Sequence, residues 1–309
     1  MPETVAVAVA RLEGYDSPAL DRAVARLLET CGYRPAPGER VLVKPNLVSA
    51  GNAVHCTTHP QVVRAACAWL LDHGARVTVG DSPAFGPASR VADASGLTAA
   101  VAPLGLKATS LKRAVPLALT RGGTIGLSRD ALGADRILNL PKLKVHGQMT
   151  LSGAVKNLFG CVVGFRKALA HNRLGHSHEL FRSMLMDVYL ALPRTTHLVD
   201  GIRTLHRNGP INGEPFPLGL LACSDNGVAL DTMAGALLGL SPDRVPLWAE
   251  AVARSLPGAD PAALHYPLER PDGFDLDGFI LSEERELSFA PLRLLQGRIR
   301  SLLKHFAKN

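Results

Sequence analysis

Short apolar runs and turn-rich polar stretches alternate along the first half of the chain. "TVAVAVAR" (Thr4 to Arg11) has the unbroken apolar character of a strand buried on both faces. "RVLVKPNLV" (Arg40 to Val48) is a second strand, stopped by Pro45, and "RVTVGDSP" (Arg76 to Pro83) is a third. Between them the pattern changes to helical. Asp16-Ser17-Pro18 supplies cap and first-turn chemistry for a helix through Leu28, and Thr58-His59-Pro60 opens another that ends near His73-Gly74. Alternation of strand and helix predicts an α/β fold: a doubly wound, mostly parallel sheet with helices on both faces.

The middle is less regular. "AVPLAL" and "TIGLS" flank Arg121-Gly122-Gly123 and predict a small β-hairpin insertion, after which "RILNLP" (Arg136 to Pro141) returns as a strand. A helix around Glu179 to Leu190, a strand "HLVDGI", the strand "PLGLLACSD" and a helix "GVALDTMAGALLG" follow. The expected organisation is a single α/β domain over 1–309, or two closely packed lobes, 1–140 and 141–288. A basic amphipathic helix at 289–308 would pack on that body.

The totals narrow the class. Of 309 residues, 47% are apolar and 20% charged, so the chain can bury a large core. A formal charge of +7 is scattered rather than gathered in a tail, which suits a small anionic ligand better than nucleic acid. Cys31, Cys56, Cys67, Cys161 and Cys223 lack CxxC spacing, which argues against a disulfide framework, a zinc ribbon and a 4Fe-4S cluster. "MPETVAVAVARLEG" lacks a basic leader, and no apolar run approaches the ~18 residues of a membrane span. The cytoplasm is the expected compartment, and the oligomeric state is open.

Candidate chemistry concentrates in "PKLKVHGQMTLSGAVKNLFG" (Pro141 to Gly160). It carries Lys142, Lys144, His146 and Lys156 with no Asp or Glu. In open parallel sheets, ligands bind beyond the carboxyl ends of the strands. Lys44 and Asn46 end the second predicted strand and Asp81 the third; Lys142, Lys144 and His146 follow "RILNLP", and Asp200 ends "HLVDGI". "TLSGAVKNLFG" reads as a helix start with Ser152 as cap and Gly153 allowing close approach, a setting that attracts an anion. Thr150 and Asn157 complete that binding set, and Lys156 lies one turn in. "RNGPINGEP" (Arg207 to Pro215) is a shaped loop able to cover a pocket. "HNRLGHSHE" places His171, His176 and His178 as candidate metal ligands, and "HCTTH" (His55 to His59) is a weaker cluster. Walker A and GxSxG motifs are absent, which disfavours nucleotide hydrolysis and serine hydrolysis.

"VLVKPNLV", "THP", "GDSP", "LPKLKVHGQMTLSGAVKNLFG", "LVDGI", "GPINGEP" and "VALD" occur in the order seen in domain-of-unknown-function family 362. The chain resembles that family over about Val41 to Gly239. The resemblance implies an α/β fold, and many members carry an appended iron–sulfur ferredoxin segment. Here no four-cysteine cluster follows. A weaker resemblance links His146, Ser152-Gly153, Lys156 and His171 to lactate-racemase-like proteins that use a nickel-pincer nucleotide. Val163-Gly164 stands where those proteins have a Pro-Gly turn.

The leading expectation is an enzyme of isomerase or lyase type acting on a small carboxylate or phosphate-bearing metabolite. Lys44, Asn46, Lys142, Lys144, Thr150, Ser152, Gly153 and Asn157 would bind it. His146 or Lys156 would serve as base and acid, oriented by Asp81 or Asp200. That reading requires no cofactor. A divalent metal held by His146, His171 and His176 or His178, serving redox chemistry, is one alternative. A non-catalytic anion- or nucleotide-binding module is the other. Acids distant in sequence, Asp81, Asp200 or Asp231, would instead neutralise the lysines if the cluster were only structural.

Overall fold

The computed structural model describes residues 4–163 and 178–283. Its first strands are β1 (Val5–Ala6) and β2 (Ala8–Arg11), followed by β3 (Arg40–Pro45), β4 (Arg76–Asp81) and β5 (Ala108–Ser110). A hairpin, β6 (Ala114–Ala118) and β7 (Thr124–Ser128), precedes β8 (Arg136–Leu140), β9 (Lys142–His146) and β10 (Thr150–Ser152). Then come β11 (Thr195–His206), β12 (Glu214–Phe216), β13 (Leu220–Ser224) and β14 (Leu264–His265). The main sheet runs β10, β9, β11, β8, β3, β4, β5; β12 and β13 lie on the other edge of β11, and β2 pairs with β13. β11, β8, β3, β4 and β5 are mutually parallel. The mostly parallel α/β sheet is as the apolar pattern predicts.

Period-two alternation decides which helices cover which face. Val41 and Val43 of β3 pack with Val79 and Leu138 against the Ala19–Thr30 and Pro60–Asp72 helices. Leu42 and Ile137 point the other way, onto Phe181, Met184 and Leu185 of the His178–Ala191 helix. A third cluster joins Val9, Leu143, Val199 and Ala222 to Leu230 and Met233 of the Gly227–Leu237 helix. Burial on both faces is why these strands read as continuous apolar runs.

Local chemistry sets the helix starts. Pro60 occupies the first turn of its helix, and the His59 side chain accepts from the Gln61 N–H at 3.3 Å. The earlier helix begins at Ala19 with no side-chain cap; Ser17 Oγ donates instead to Asp21, at 2.7 Å.

Three elements differ from the sequence expectation. "TVAVAVAR" divides into β1, which pairs with β14, and β2, which joins the main sheet. Lys142, Lys144 and His146 lie within a strand rather than in the loop after one. Lys-Leu-Lys-Val-His alternates with period two, so Leu143 and Val145 enter the core while the basic residues face the opposite side. The expected helix start is a β10 strand followed by one short turn, Ala154–Asn157, and a 3₁₀ turn, Leu158–Cys161. The predicted terminal helix lies outside the described residues. No described helix is long and apolar enough to cross a membrane.

The chain passes from β3 outward to β4 and β5, then returns to lay β8 on the opposite side of β3. Strand order therefore reverses between β3 and β8, the place where open α/β sheets form a crevice. The polar cluster lies at this reversal.

Candidate functional site

Two buried ion pairs frame the crevice. Lys44 Nζ, at the end of β3, lies 2.8 Å from Asp81 Oδ1 at the end of β4. Asp81 also accepts the Leu47 and Ser82 N–H groups, each at 2.8 Å. Lys142 Nζ, at the start of β9, lies 2.9 Å from Asp200 Oδ2 on β11. Tyr15 OH donates to Asp200 Oδ1 at 2.8 Å and accepts from Lys142 at 2.9 Å, while the His59 N–H donates to Asp200 Oδ2 at 2.8 Å. Tyr15 stacks on His59 with centroids 3.5 Å apart. Burial, with Asp200 adding to it, raises the Tyr15 phenol above its usual range and keeps it neutral. Burial lowers the His59 imidazole to about 4.

Gly160 fits closely over the first pair. A Cβ there would collide with the Asp81 carboxylate and the Lys44 ammonium. Gly160→Ala is expected to lower stability by about 1–3 kcal/mol through overpacking, which a chemical denaturation midpoint would show. A shift of the midpoint smaller than measurement error would mean that the pair can move aside.

Lys144 has a different setting. Only 2% exposed, it donates to Asn46 Oδ1 at 2.5 Å and to the Cys56 carbonyl at 2.8 Å, both uncharged acceptors. Burial brings its amine down to about 7, and the nearby Lys156 and Lys142 cations push the same way. Cys56, in "HCTTH", contributes its backbone carbonyl here. Burial raises its thiol, opposite to the shift that activates a cysteine.

A ladder of amides extends from Lys144. Asn46 Nδ2 donates to Asn157 Oδ1 at 2.8 Å, and Asn157 Nδ2 donates to Asn139 Oδ1 at 2.7 Å. Asn139 Nδ2 contacts the Ala154 carbonyl and His197 Nδ1, both at 2.9 Å. Because that nitrogen is a donor, His197 Nδ1 must accept, and its hydrogen resides on Nε2. Burial lowers His197 to about 3, consistent with a neutral ring.

Between these groups lies a cavity of about 60 Å³ lined by Asn46, Val48, Lys142, Lys144, Ser152, Gly153, Lys156, Asn157 and Pro210. Among the described residues no carboxylate lines it. Ser152, 6% exposed, presents a buried hydroxyl with no protein hydrogen-bond partner. Pro210, from the "RNGPINGEP" loop, is one of the lining residues. A second hollow of about 70 Å³, lined by Tyr15, Val54, His55, His59, Lys142, Arg203 and Pro215, lies beyond Lys142.

Several expected roles change. The N–H groups at the Ala154 turn hold no vacancy for an anion: Ala154 and Val155 donate to Asp231 at 2.5 and 3.0 Å. Asp231 fills the place expected for the ligand, and Gly153 is needed because a Cβ would strike its carboxylate. Burial raises Asp231 to about 7, against the lowering effect of the two N–H groups. Ser152 is therefore a cavity wall rather than a helix cap. Thr150 donates to the Arg244 carbonyl at 2.6 Å and does not line the cavity. His146 is 8% exposed, does not line the cavity, and accepts the Gln148 N–H at 3.1 Å. Asp81 and Asp200 brace Lys44 and Lys142 rather than lining the cavity.

The metal proposal fares separately. His171, His176 and the His178 side chain lie outside what is described. Among the described residues no three His, Cys, Asp or Glu groups form a metal cluster.

Tyr15, Asn139 and His197 escaped the sequence reading. Asn139 carried a signal, a lone amide inside the otherwise apolar "RILNLP". Tyr15 carried none, since only folding brings it to Asp200.

The fold and crevice define an α/β protein with a lysine- and asparagine-rich polar site at its strand-order reversal. The chain belongs to the domain of unknown function family DUF362, whose model matches residues 41–236. It is 36% identical to a thylakoid-associated protein of Synechocystis across 97% of this chain and 94% of that one. Among solved structures, it is similar to the lactate racemase apoprotein of Thermoanaerobacterium thermosaccharolyticum, with a TM-score of 0.45 and 11% identity. That match covers 73% of this chain and 54% of the other. A protein from Thermotoga maritima gives a TM-score of 0.42 and 12% identity, covering 66% and 56%. The chain thus spans just over half the length of each of these two structures.

Proposed function

We propose that the crevice binds a small anionic metabolite and moves a proton on it through lysine chemistry, in an isomerisation, epimerisation or elimination. The observation that carries this reading is the cavity wall, which among the described residues has three lysines, a buried hydroxyl without a partner and no carboxylate. An oxyanion would supply the acceptor that the Ser152 hydroxyl lacks and would lie beside the lysine amines. Lys142 is already fixed by Asp200, so it presents a positioned cation rather than a mobile one. His146 has no place at the cavity, which shifts the acid–base work towards Lys144 and Lys156. All five cysteines are free thiols, in keeping with the reducing cytoplasm.

Titration calorimetry against a panel of short carboxylates and phosphate monoesters tests the binding step. Lys156→Ala is expected to weaken the best ligand at least about tenfold, the loss of one charge-assisted contact. Equal affinity in that variant would remove Lys156 from the site. Failure of every anion to bind the wild-type protein would end this reading.

A further inference from the structure

We infer that Lys144 is the proton acceptor of this cavity and that its substrate is a short 2-oxo acid, deprotonated at the carbon next to the oxo group. The inference rests on the proposed anion-binding function and adds to it a base and a substrate class.

The nitrogen's surroundings determine its role. Asn46 Oδ1 and the Cys56 carbonyl are acceptors only, and each takes one hydrogen from Lys144 Nζ. Asn46 cannot turn its amide round without breaking the ladder. Its Nδ2 supplies Asn157 Oδ1, Asn157 supplies Asn139 Oδ1, and Asn139 is pinned by the Ala154 carbonyl, which accepts only. A neutral lysine has two hydrogens, so both are committed. The remaining tetrahedral position carries the lone pair, and Lys144 lines the cavity. On gaining a proton the amine keeps both anchors and acquires a third donor directed at the ligand. The ligand-free amine, at about 7, is substantially neutral at physiological pH. The groups facing it are Lys142 and Lys156, Asp81 and the Cys56 thiol.

The cavity's size and charge set the substrate. In about 60 Å³, any C–H bond presented to Lys144 lies within a few bonds of an anion held by Lys142 and Lys156. A carboxylate is a poor sink for an electron pair because it is already negative. An adjacent oxo group is a good one. When Lys144 takes the proton, the C–H pair becomes the new C=C bond and the C=O π pair moves to oxygen, giving an enolate. The Ser152 hydroxyl and the lysine cations are available to stabilise that oxygen. Return of the proton to carbon restores the acid, so the step needs no oxidant, reductant or second substrate.

Proton NMR of pyruvate and 2-oxobutanoate in D2O reads this step as loss of the signal at the carbon next to the oxo group. Wild-type protein is expected to catalyse saturable exchange, and Lys144→Met to lose it by at least about 100-fold, the usual contribution of a general base. Lys144→Gln serves if the methionine variant does not fold, with far-ultraviolet circular dichroism as the check. Exchange that survives loss of Lys144 but falls in Lys156→Ala would overturn the inference and leave the anion-binding reading standing. So would tight anion binding by calorimetry with no exchange of either acid. Cyanoborohydride is expected to trap no adduct; one trapped on Lys144 would replace proton abstraction with imine formation and overturn the assignment.

Discussion

Replacing Asp200 with alanine lowers the free energy of unfolding by about 3–5 kcal/mol, because it strands a buried ammonium. Lys142 is 3% exposed, and Asp200 is its partner at 2.9 Å. The same substitution removes the acceptor for the Tyr15 hydroxyl and the His59 N–H. Lys142 is buried, so little water is at hand to replace the lost carboxylate. The damage should be reversible by taking away the charge. Asp200→Ala combined with Lys142→Met is expected to recover much of the loss, since removing both members of a buried pair costs far less than removing one. Denaturant unfolding of the two variants decides it. A single variant that loses less than about 1 kcal/mol would show that Lys142 is hydrated or neutral, contrary to the packing.

The contributions of two buried groups, Asp231 and Lys144, should together be least favourable to stability near pH 7, for reasons of opposite sign. Asp231 rises from an ordinary 3.8 to about 7 on folding. Between those values the folded protein holds the proton that the unfolded chain has lost. Raising the pH through that window therefore costs stability, on the order of 4 kcal/mol for a shift of about three units. Lys144 falls from 10.5 to about 7. Between those values the unfolded chain holds the extra proton, so stability returns as the pH climbs from about 7 towards 10.5. Measured against wild type, Asp231→Asn should gain stability as the pH rises from about 4 to 7, and Lys144→Met should lose its relative advantage as the pH rises from about 7 towards 10.5. Urea midpoints measured at intervals from pH 4 to 10 would show both. A difference from wild type that does not vary with pH in either variant would mean that these two groups do not change their protonation on folding.

The fate of the basic stretch shows how far sequence reasoning reaches. An acid-free run of lysines implied counter-charges elsewhere, either ligand or distant acids, and distant acids supply part of them. Asp81 and Asp200 neutralise Lys44 and Lys142, while Lys144 rests on uncharged oxygens. Nothing in the order of residues separates these cases. The three lysines at 44, 142 and 144 look alike on paper, and only their neighbours across β3, β4 and β11 make them different. The helix start misread at Ser152 has the same origin. Its N–H groups do hold an anion, and that anion is Asp231, 77 residues from Ala154 along the chain.

The sequence by itself determined the layered α/β architecture, because burial on two faces writes unbroken apolar runs and periodicity is a local property. It also determined the residues from which a site could be made, since lysine, asparagine and glycine were conspicuous where they stood. Tertiary structure alone decided which of them face one another. It placed Tyr15 against Asp200, linked Asn46, Asn157 and Asn139 into one ladder, and left Lys144 buried without a carboxylate. Electrostatics inside a protein depends on distances of a few ångströms and on the absence of water. Both are set by contacts between segments far apart in the chain.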